Sequence, residues 1–398
     1  MRERFFFGAA TSAHQIEGGN RNDWTEWEAA NAARLSEGSG HRYPPENYIS
    51  GSACEGYRRF EEDFDIAKEL GHNAHRFSIE WSRIEPKEGI FDEREIDHYR
   101  EVIRALRARG LEPFVTLWHW TLPVWLARTG GTESLLFPVY FERYVTKVVK
   151  ALGAEVRYWI TVNEPEVFTG NSYLYGRWPP QKKSWAAWYR AVRNLVRAHR
   201  AAYRAIKKQF PDAYAGAVMN LVFFESGGGF VNDILAAGAH FLRDRYFLNH
   251  VVAWSDFIGL NYYFHSRVYY GFGKNLNREV SDMGWEIYPQ GIYKVLKDIG
   301  RYDLPIYVTE NGLADARDEK RSLFITEHLS YIRKAIGEGV DVRGYFHWSL
   351  IDNFEWDEGF WPRFGLVAVD YATMKRTIRP SAYAYRTVIE EWNKEHEE

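Results

Sequence analysis

A single cysteine, Cys54, stands in 398 residues. One thiol cannot close an internal disulfide or supply a cysteine-based zinc site. It suits a reducing compartment, and a cytoplasmic location is the expectation. An excess of one charge is also missing: 51 Lys and Arg face 54 Asp and Glu, a formal net charge of −3. Lys182-Lys183 and Lys207-Lys208 are isolated pairs of the kind a solvated face carries. Nothing here favours nucleic acid as a partner. Long hydrophobic runs are lacking too. No stretch approaches the ~20 apolar residues of a membrane span, so no membrane partner is expected. Near the N-terminus only Phe5 to Phe7 are apolar in a row, too short for a signal-peptide core. No Pro/Ser-rich linker or low-complexity tract interrupts the chain, and one catalytic domain over 1–398 is expected.

Aromatics are abundant, with 16 Trp. Most belong in a core, but a surplus of this size can also line a sugar site, because ring faces stack on the C–H faces of pyranoses. Hydrophobic periodicity alternates strand and helix along the chain. Strands are predicted at Phe5–Ala9, Ala74–Ile79, Pro113–Trp118, Val156–Asn163, Ala213–Asn220, Phe257–Tyr262, Leu304–Thr309 and Val342–Ser349. Helices are predicted at Glu55–Leu70, Glu93–Arg109, Val139–Leu152, Trp185–Phe210, Val231–His250, Pro289–Arg301, Glu319–Gly337 and Ser381–Trp392. Eight repeated βα units predict an α/β fold, a closed (β/α)8 TIM barrel with its site at the C-terminal ends of the strands. A doubly wound sheet is the competing fold. It would want a Gly-rich phosphate turn after the first strand, and Gly8-Ala9-Ala10-Thr11 does not fit one.

The seventh strand anchors the functional argument. Ile306 to Thr309 favour the extended state, Pro305 and Asn311-Gly312 punctuate their two ends, and Glu310 stands where the strand stops. A lone carboxylate there is as readily a solvated strand end as a reactive group. The other strand ends shift the balance. They carry Gln15 and Glu17, then Arg76, then Trp118, His119 and Trp120, then Asn163 and Glu164, then Asn261, Tyr262 and Tyr263. The last strand supplies Trp348, and the loop beyond it Asp352, Asn353, Glu355 and Trp356. Taken singly, His119 is most simply a satisfied core histidine and each tryptophan a core residue. Together, two glutamates on strands four and seven with amides, an imidazole and tryptophans match the needs of glycosidic cleavage. His119 has no HExxH partner, so neither a metal nor a cofactor is expected.

Several motifs resemble glycoside hydrolase family 1, the retaining β-glycosidases. They are GAATSAHQIEG (Gly8 to Gly18), HRFSIEWSRI (His75 to Ile84), LWHWTLP (Leu117 to Pro123), TVNEP (Thr161 to Pro165), GLNYY (Gly259 to Tyr263), VTENG (Val308 to Gly312), HWSLIDNFEW (His347 to Trp356) and RFGLVAVDY (Arg363 to Tyr371). The resemblance spans nearly the whole chain. It implies Glu164 as acid/base, Glu310 as nucleophile, and Arg76 and Tyr263 as partners of that nucleophile. It implies a sugar site at Gln15, His119, Trp120, Asn163, Asn261, Glu355 and Trp356, with Trp348 as the platform under the ring, and a β-glycoside or oligosaccharide as substrate. The chain departs from the pattern in its short loops after strands five and six, in Trp361-Pro362 where Ser-Lys is common, and in His347 where an aliphatic residue is common. A transglycosidase using the same intermediate and a catalytically silent sugar-binding barrel remain as alternatives.

Overall fold

The computed structural model describes residues 4–397. Eight parallel strands close into a barrel: β1 (Phe6–Ala10), β2 (Ala74–Ser78), β3 (Glu112–Thr116), β4 (Tyr158–Asn163), β5 (Tyr214–Asn220), β6 (Phe257–Asn261), β7 (Ile306–Asn311) and β8 (Val342–Trp348). Each pairs with its sequence neighbours, and β8 returns to β1 through Phe6↔Gly344 to Ala10↔Trp348. The (β/α)8 architecture is therefore present, with each predicted strand found to within two residues or so.

The period-two alternation of a strand divides the apolar residues into two cores. Inward side chains such as Phe114, Tyr158, Val218, Phe257, Tyr307 and Phe346 fill the barrel, and Phe114 stacks on Tyr158 at 4.3 Å. Outward ones meet the helices. The space inside is tight: a Cβ on Gly259 would stand 2.4 Å from Val218 Cγ2. The helices follow their stripe. In Glu93–Ala108, Ile96, Tyr99, Val102, Ile103 and Leu106 are buried, a helical spacing that puts them on one face. The Asp92 side chain caps its start by accepting from the Arg94 N–H, and Gly110 at φ 75° follows its end.

The structure adds short helices and an antiparallel hairpin, Val367–Asp370 with Lys375–Ile378, to the expected elements, and three further differences bear on the site and the surface. Helix Asp23–Gly38, capped reciprocally by Asn22 and Thr25, has no counterpart among the predicted elements. The segment expected as one helix over 231–250 is broken into Phe230–Ala239, a π-helical stretch His240–Arg245, and Tyr246–Val251. The short loops after β5 and β6 are tied together by a two-stranded ribbon, Phe223–Ser226 against His265–Val268. No helix among the described residues is long and apolar enough to cross a membrane.

Candidate active site

β-Strand alternation alone would not bring the polar residues together. Register shifts interrupt the pairing of β4 with β5 between Ile160 and Asn163, of β6 with β7 between Leu260 and Asn261, and of β7 with β8 between Tyr345 and His347. Each irregularity re-aims the last residues of its strand. In β7, Thr309 Oγ1 donates inward to Asn261 Oδ1, and the next residue, Glu310, also turns inward. Glu310 was expected just past the strand; it lies within it.

Arg76, inward on β2 and 1% exposed, is the hub. Its Nη1 donates to Glu310 Oε1 at 2.6 Å and to the Thr309 carbonyl at 3.2 Å; its Nη2 donates to Asn163 Oδ1 at 2.6 Å and its Nε to Thr116 Oγ1 at 3.2 Å. Tyr263 OH donates to the other Glu310 oxygen at 2.6 Å. Burial, reinforced by the Glu310 charge, holds the Tyr263 phenol well above its ordinary pKa, so it stays a donor.

Glu164 sits in different surroundings. Its backbone is left-handed at φ 42°, a strained setting for a side-chain-bearing residue. It is held by its N–H donating to the Val218 carbonyl and its own carbonyl accepting from Val167 and Phe168. Pro165 then opens a short helix in the first-turn position that proline favours. Glu164 Oε1 accepts from Asn261 Nδ2 at 2.6 Å and Asn220 Nδ2 at 3.1 Å. Burial foremost, then the charges of Glu310 and Glu166, push its carboxyl up to about 8, against the pull of the two amides.

The remaining candidates assemble around these two carboxyls. Burial first, then Arg76, keeps His119 well below its ordinary pKa and hence neutral. Its Nε2 faces the Asn163 amide at 3.1 Å, which assigns the proton to Nδ1, an atom with no other partner among the described residues. Trp120 donates its indole N–H to the Asn163 carbonyl. Gln15 Nε2 donates to the Phe354 carbonyl, Asn353 Oδ1 and Glu355 Oε2 at 2.8, 3.0 and 3.2 Å. Burial foremost, with Glu310 next, pushes Glu355 well above the carboxylate range. Trp348 and Trp356 lie near-parallel to the His119 ring.

A cavity of about 340 Å³ opens over this set, lined by Gln15, His119, Trp120, Glu164, Tyr263, Glu310, Trp348, Glu355 and Trp356. That size suits a small ligand. Arg76 and Asn261 sit behind the lining and hold it, and buried Asn163 lies against the lining residue His119. Other strand-end residues lie apart: Glu17 bonds Arg83 and Tyr99, Tyr262 donates to the Tyr288 carbonyl, and Asp352 pairs with buried Arg379 at 2.8 Å. Sequence reasoning missed Asn220, although it ends a barrel strand and the same rule would have found it. It also missed Trp178, Trp285 and Arg243, which line the cavity from loops and from the helix after β5. Trp361 has a place in the structure: it stacks on Tyr43 at 5.6 Å on the cavity rim. His347 points away from the cavity toward Tyr385. No group of three or more His, Cys, Asp or Glu among the described residues is arranged to hold a metal ion.

The chain matches the sequence profile of Glycosyl hydrolase family 1 over residues 1–257 and 248–394. It is similar to β-glucosidase A of Thermotoga maritima, 35% identical over 97% of each chain. It is also similar to a β-galactosidase of Pyrococcus woesei, 29% identical over 97% of this chain and 96% of that one. A solved β-glycosidase from Pyrococcus horikoshii superposes with a TM-score of 0.89 at 38% identity, covering 98% of this chain and 94% of that one. The T. maritima β-glucosidase in complex with deoxynojirimycin does so with a TM-score of 0.86 at 32% identity, covering 98% of each.

Proposed function

Because the chain belongs to glycosyl hydrolase family 1, we propose that it is a retaining, exo-acting β-glycosidase working by double displacement through a covalent glycosyl-enzyme. The observation that carries this is the asymmetry of its two cavity carboxyls. Glu310 accepts from a guanidinium and a phenol, both of which favour a carboxylate. Glu164 is buried and pushed up to about 8, so at neutral pH it holds a proton. Two carboxyls in one cavity, one gripped by a guanidinium and a phenol and the other protonated among amides, are the acid/base arrangement such chemistry needs.

In the first step a Glu310 oxygen bonds to the anomeric carbon as the glycosidic C–O bond breaks, and the Glu164 proton passes to the leaving oxygen. Glu310 is then an ester, and its charge no longer raises Glu164. Glu164, having given up its proton, can now stay ionised and take a proton from water, which attacks the anomeric carbon and frees Glu310. Asn163, held between Arg76 and His119, is placed for the sugar 2-hydroxyl, where hydrogen bonds strengthen toward the transition state. The neutral His119 lines the cavity beside Asn163. Gln15 and Glu355 take the far hydroxyls, and Trp348 the ring face. Residues 1–398 act as one catalytic unit.

The substrates are terminal unphosphorylated β-D-glucosyl, galactosyl and fucosyl residues. Glu355 can serve an equatorial or an axial 4-hydroxyl. A 6-phosphate would meet a wall of acidic side chains, with Asp357 and Glu358 beside Glu355; a charge carried there repels it more strongly in a partly dry pocket than in water. Both glutamates and their partners are intact, which disfavours a silent sugar-binding barrel. A panel of aryl β-glucoside, galactoside, fucoside, mannoside, xyloside and glucoside 6-phosphate, compared by kcat/KM, tests the reading. The first three should be cleaved with the β-anomer released first by NMR. Initial release of the α-anomer, or a preference for the phosphorylated sugar, would refute it. Product ratios with an added sugar acceptor measure transfer against hydrolysis.

A further inference from the structure

Arg243 belongs to the π-helical stretch His240–Arg245 that breaks the helix after β5, and its side chain lines the cavity. The other cations of the site are matched. Arg76 pairs with Glu310 at 2.6 Å, and Arg177 with Asp357 at 2.8 Å and Glu358 at 3.5 Å. Arg243 is not. Its Nη2 reaches Asn220 Oδ1 only at 3.5 Å, its Nη1 is buried without a hydrogen-bond partner, and no ion pair to it forms among the described residues. Of the carboxylates that feel its charge, Asp244 is bonded to His240 at 2.8 Å, and Glu166 uses Oε1 to accept the Asn220 backbone N–H while its Oε2 makes no hydrogen bond among the described residues. A buried donor left unmade costs free energy, so a cation in this position is suited to a ligand that brings its own acceptor.

Its location says which part of the ligand. The Asn220 amide spans the gap between Arg243 and the proton donor: Nδ2 donates to Glu164 Oε1 at 3.1 Å while Oδ1 faces the guanidinium. Glu164 protonates the oxygen of the departing group, so Arg243 stands one side chain beyond that oxygen, on the leaving-group side. Val167 and Phe264 line the same cavity and give an aromatic aglycone apolar contact. We propose that Arg243 is a specificity residue that binds a carboxylate on the aglycone, so that the enzyme favours β-glycosides of aromatic or sugar acids over their neutral counterparts. The inference rests on the β-glycosidase reading above.

The test compares 4-carboxyphenyl and 4-carbamoylphenyl β-D-glucosides, which match in shape and differ in charge. The ratio of their kcat/KM values in the native enzyme, divided by the same ratio in Arg243→Met, cancels their intrinsic reactivities. A charge-assisted hydrogen bond predicts a quotient of about tenfold or more. Salt should erode the native preference, since the cavity is open to solvent ions; this second readout needs no variant to fold. A quotient near one, with both substrates slowed alike, would assign Arg243 to holding Asn220 or offsetting Glu166 and overturn the proposal. So would a native ratio insensitive to salt. If the native enzyme cleaves neither glucoside, the β-glycosidase reading fails first and the inference with it. Cleavage of the carboxamide without charge discrimination sinks the inference alone.

Discussion

Glu310 and Glu164 differ in what touches them rather than in what they are, and their variants should fail differently. Glu310→Gly is expected to abolish hydrolysis, with added azide trapping an α-glycosyl azide on the vacated face. Glu164→Ala should slow substrates with poor leaving groups far more than activated aryl glycosides, which need little protonation. Rate measurements across a series of leaving groups check this; a uniform loss would contradict the assignment. Arg76 is 1% exposed and donates to four acceptors. Arg76→Met should lower kcat by about 10²-fold or more, the scale of losing one preorganised electrostatic group. It should also lower the melting temperature, because Glu310 and Asn163 lose a buried partner. A near-native kcat would make Arg76 structural only.

Strand ends, and the irregularities in them, do the positioning. Asn220 closes β5 and Asn261 closes β6, and both amides donate to Glu164 Oε1. A donor to a carboxylate stabilises its charged form, so Asn220→Ala should push the Glu164 carboxyl above its value of about 8. On the proposed mechanism Glu164 is protonated in the first step, so activity should fall as pH rises through that value. The alkaline limb of kcat/KM should therefore move to higher pH in the variant; a limb that stays or moves down would break the link between Asn220 and the acid. The helices on the outer ring carry less chemistry, except where the π-helical stretch turns Arg243 into the cavity.

Over the whole molecule, the last helix covers the seam where the first and last strands close the barrel. Pro380–Glu397 lies across the β1/β8 seam, where Tyr385 OH donates to the Gly8 and Tyr345 carbonyls at 3.1 and 3.3 Å. Trp392 packs on Phe5 at 4.7 Å and on Phe7 at 5.4 Å. Trp392→Ala should cost about 3–5 kcal/mol, as for large-to-small changes in other cores. Its rate constants per folded molecule should stay native, because Trp392 and the Phe5, Phe7 and Arg333 side chains it packs against lie outside the cavity lining. Denaturant melts with activity per folded fraction check both; a large kcat change in fully folded protein would show that the seam communicates with the site.

Sequence alone determined the barrel and pointed to most of the candidate site. The period of two in eight apolar runs and the stripes between them encode strands and helices locally. Polar residues at strand ends could be placed at one mouth once the barrel was inferred. The motifs around Glu164 and Glu310 named the chemistry. Only the tertiary structure decided the rest. Strict alternation would aim Thr309 and Glu310 to opposite faces; it takes the shifts between β6, β7 and β8, which depend on neighbours distant in sequence, to bring both inward. The protonation of Glu164 follows from burial and from charges on other strands, and the open valences of Arg243 from a break in a helix whose apolar pattern runs on without interruption. These are properties of where residues end up, and no local spacing carries them.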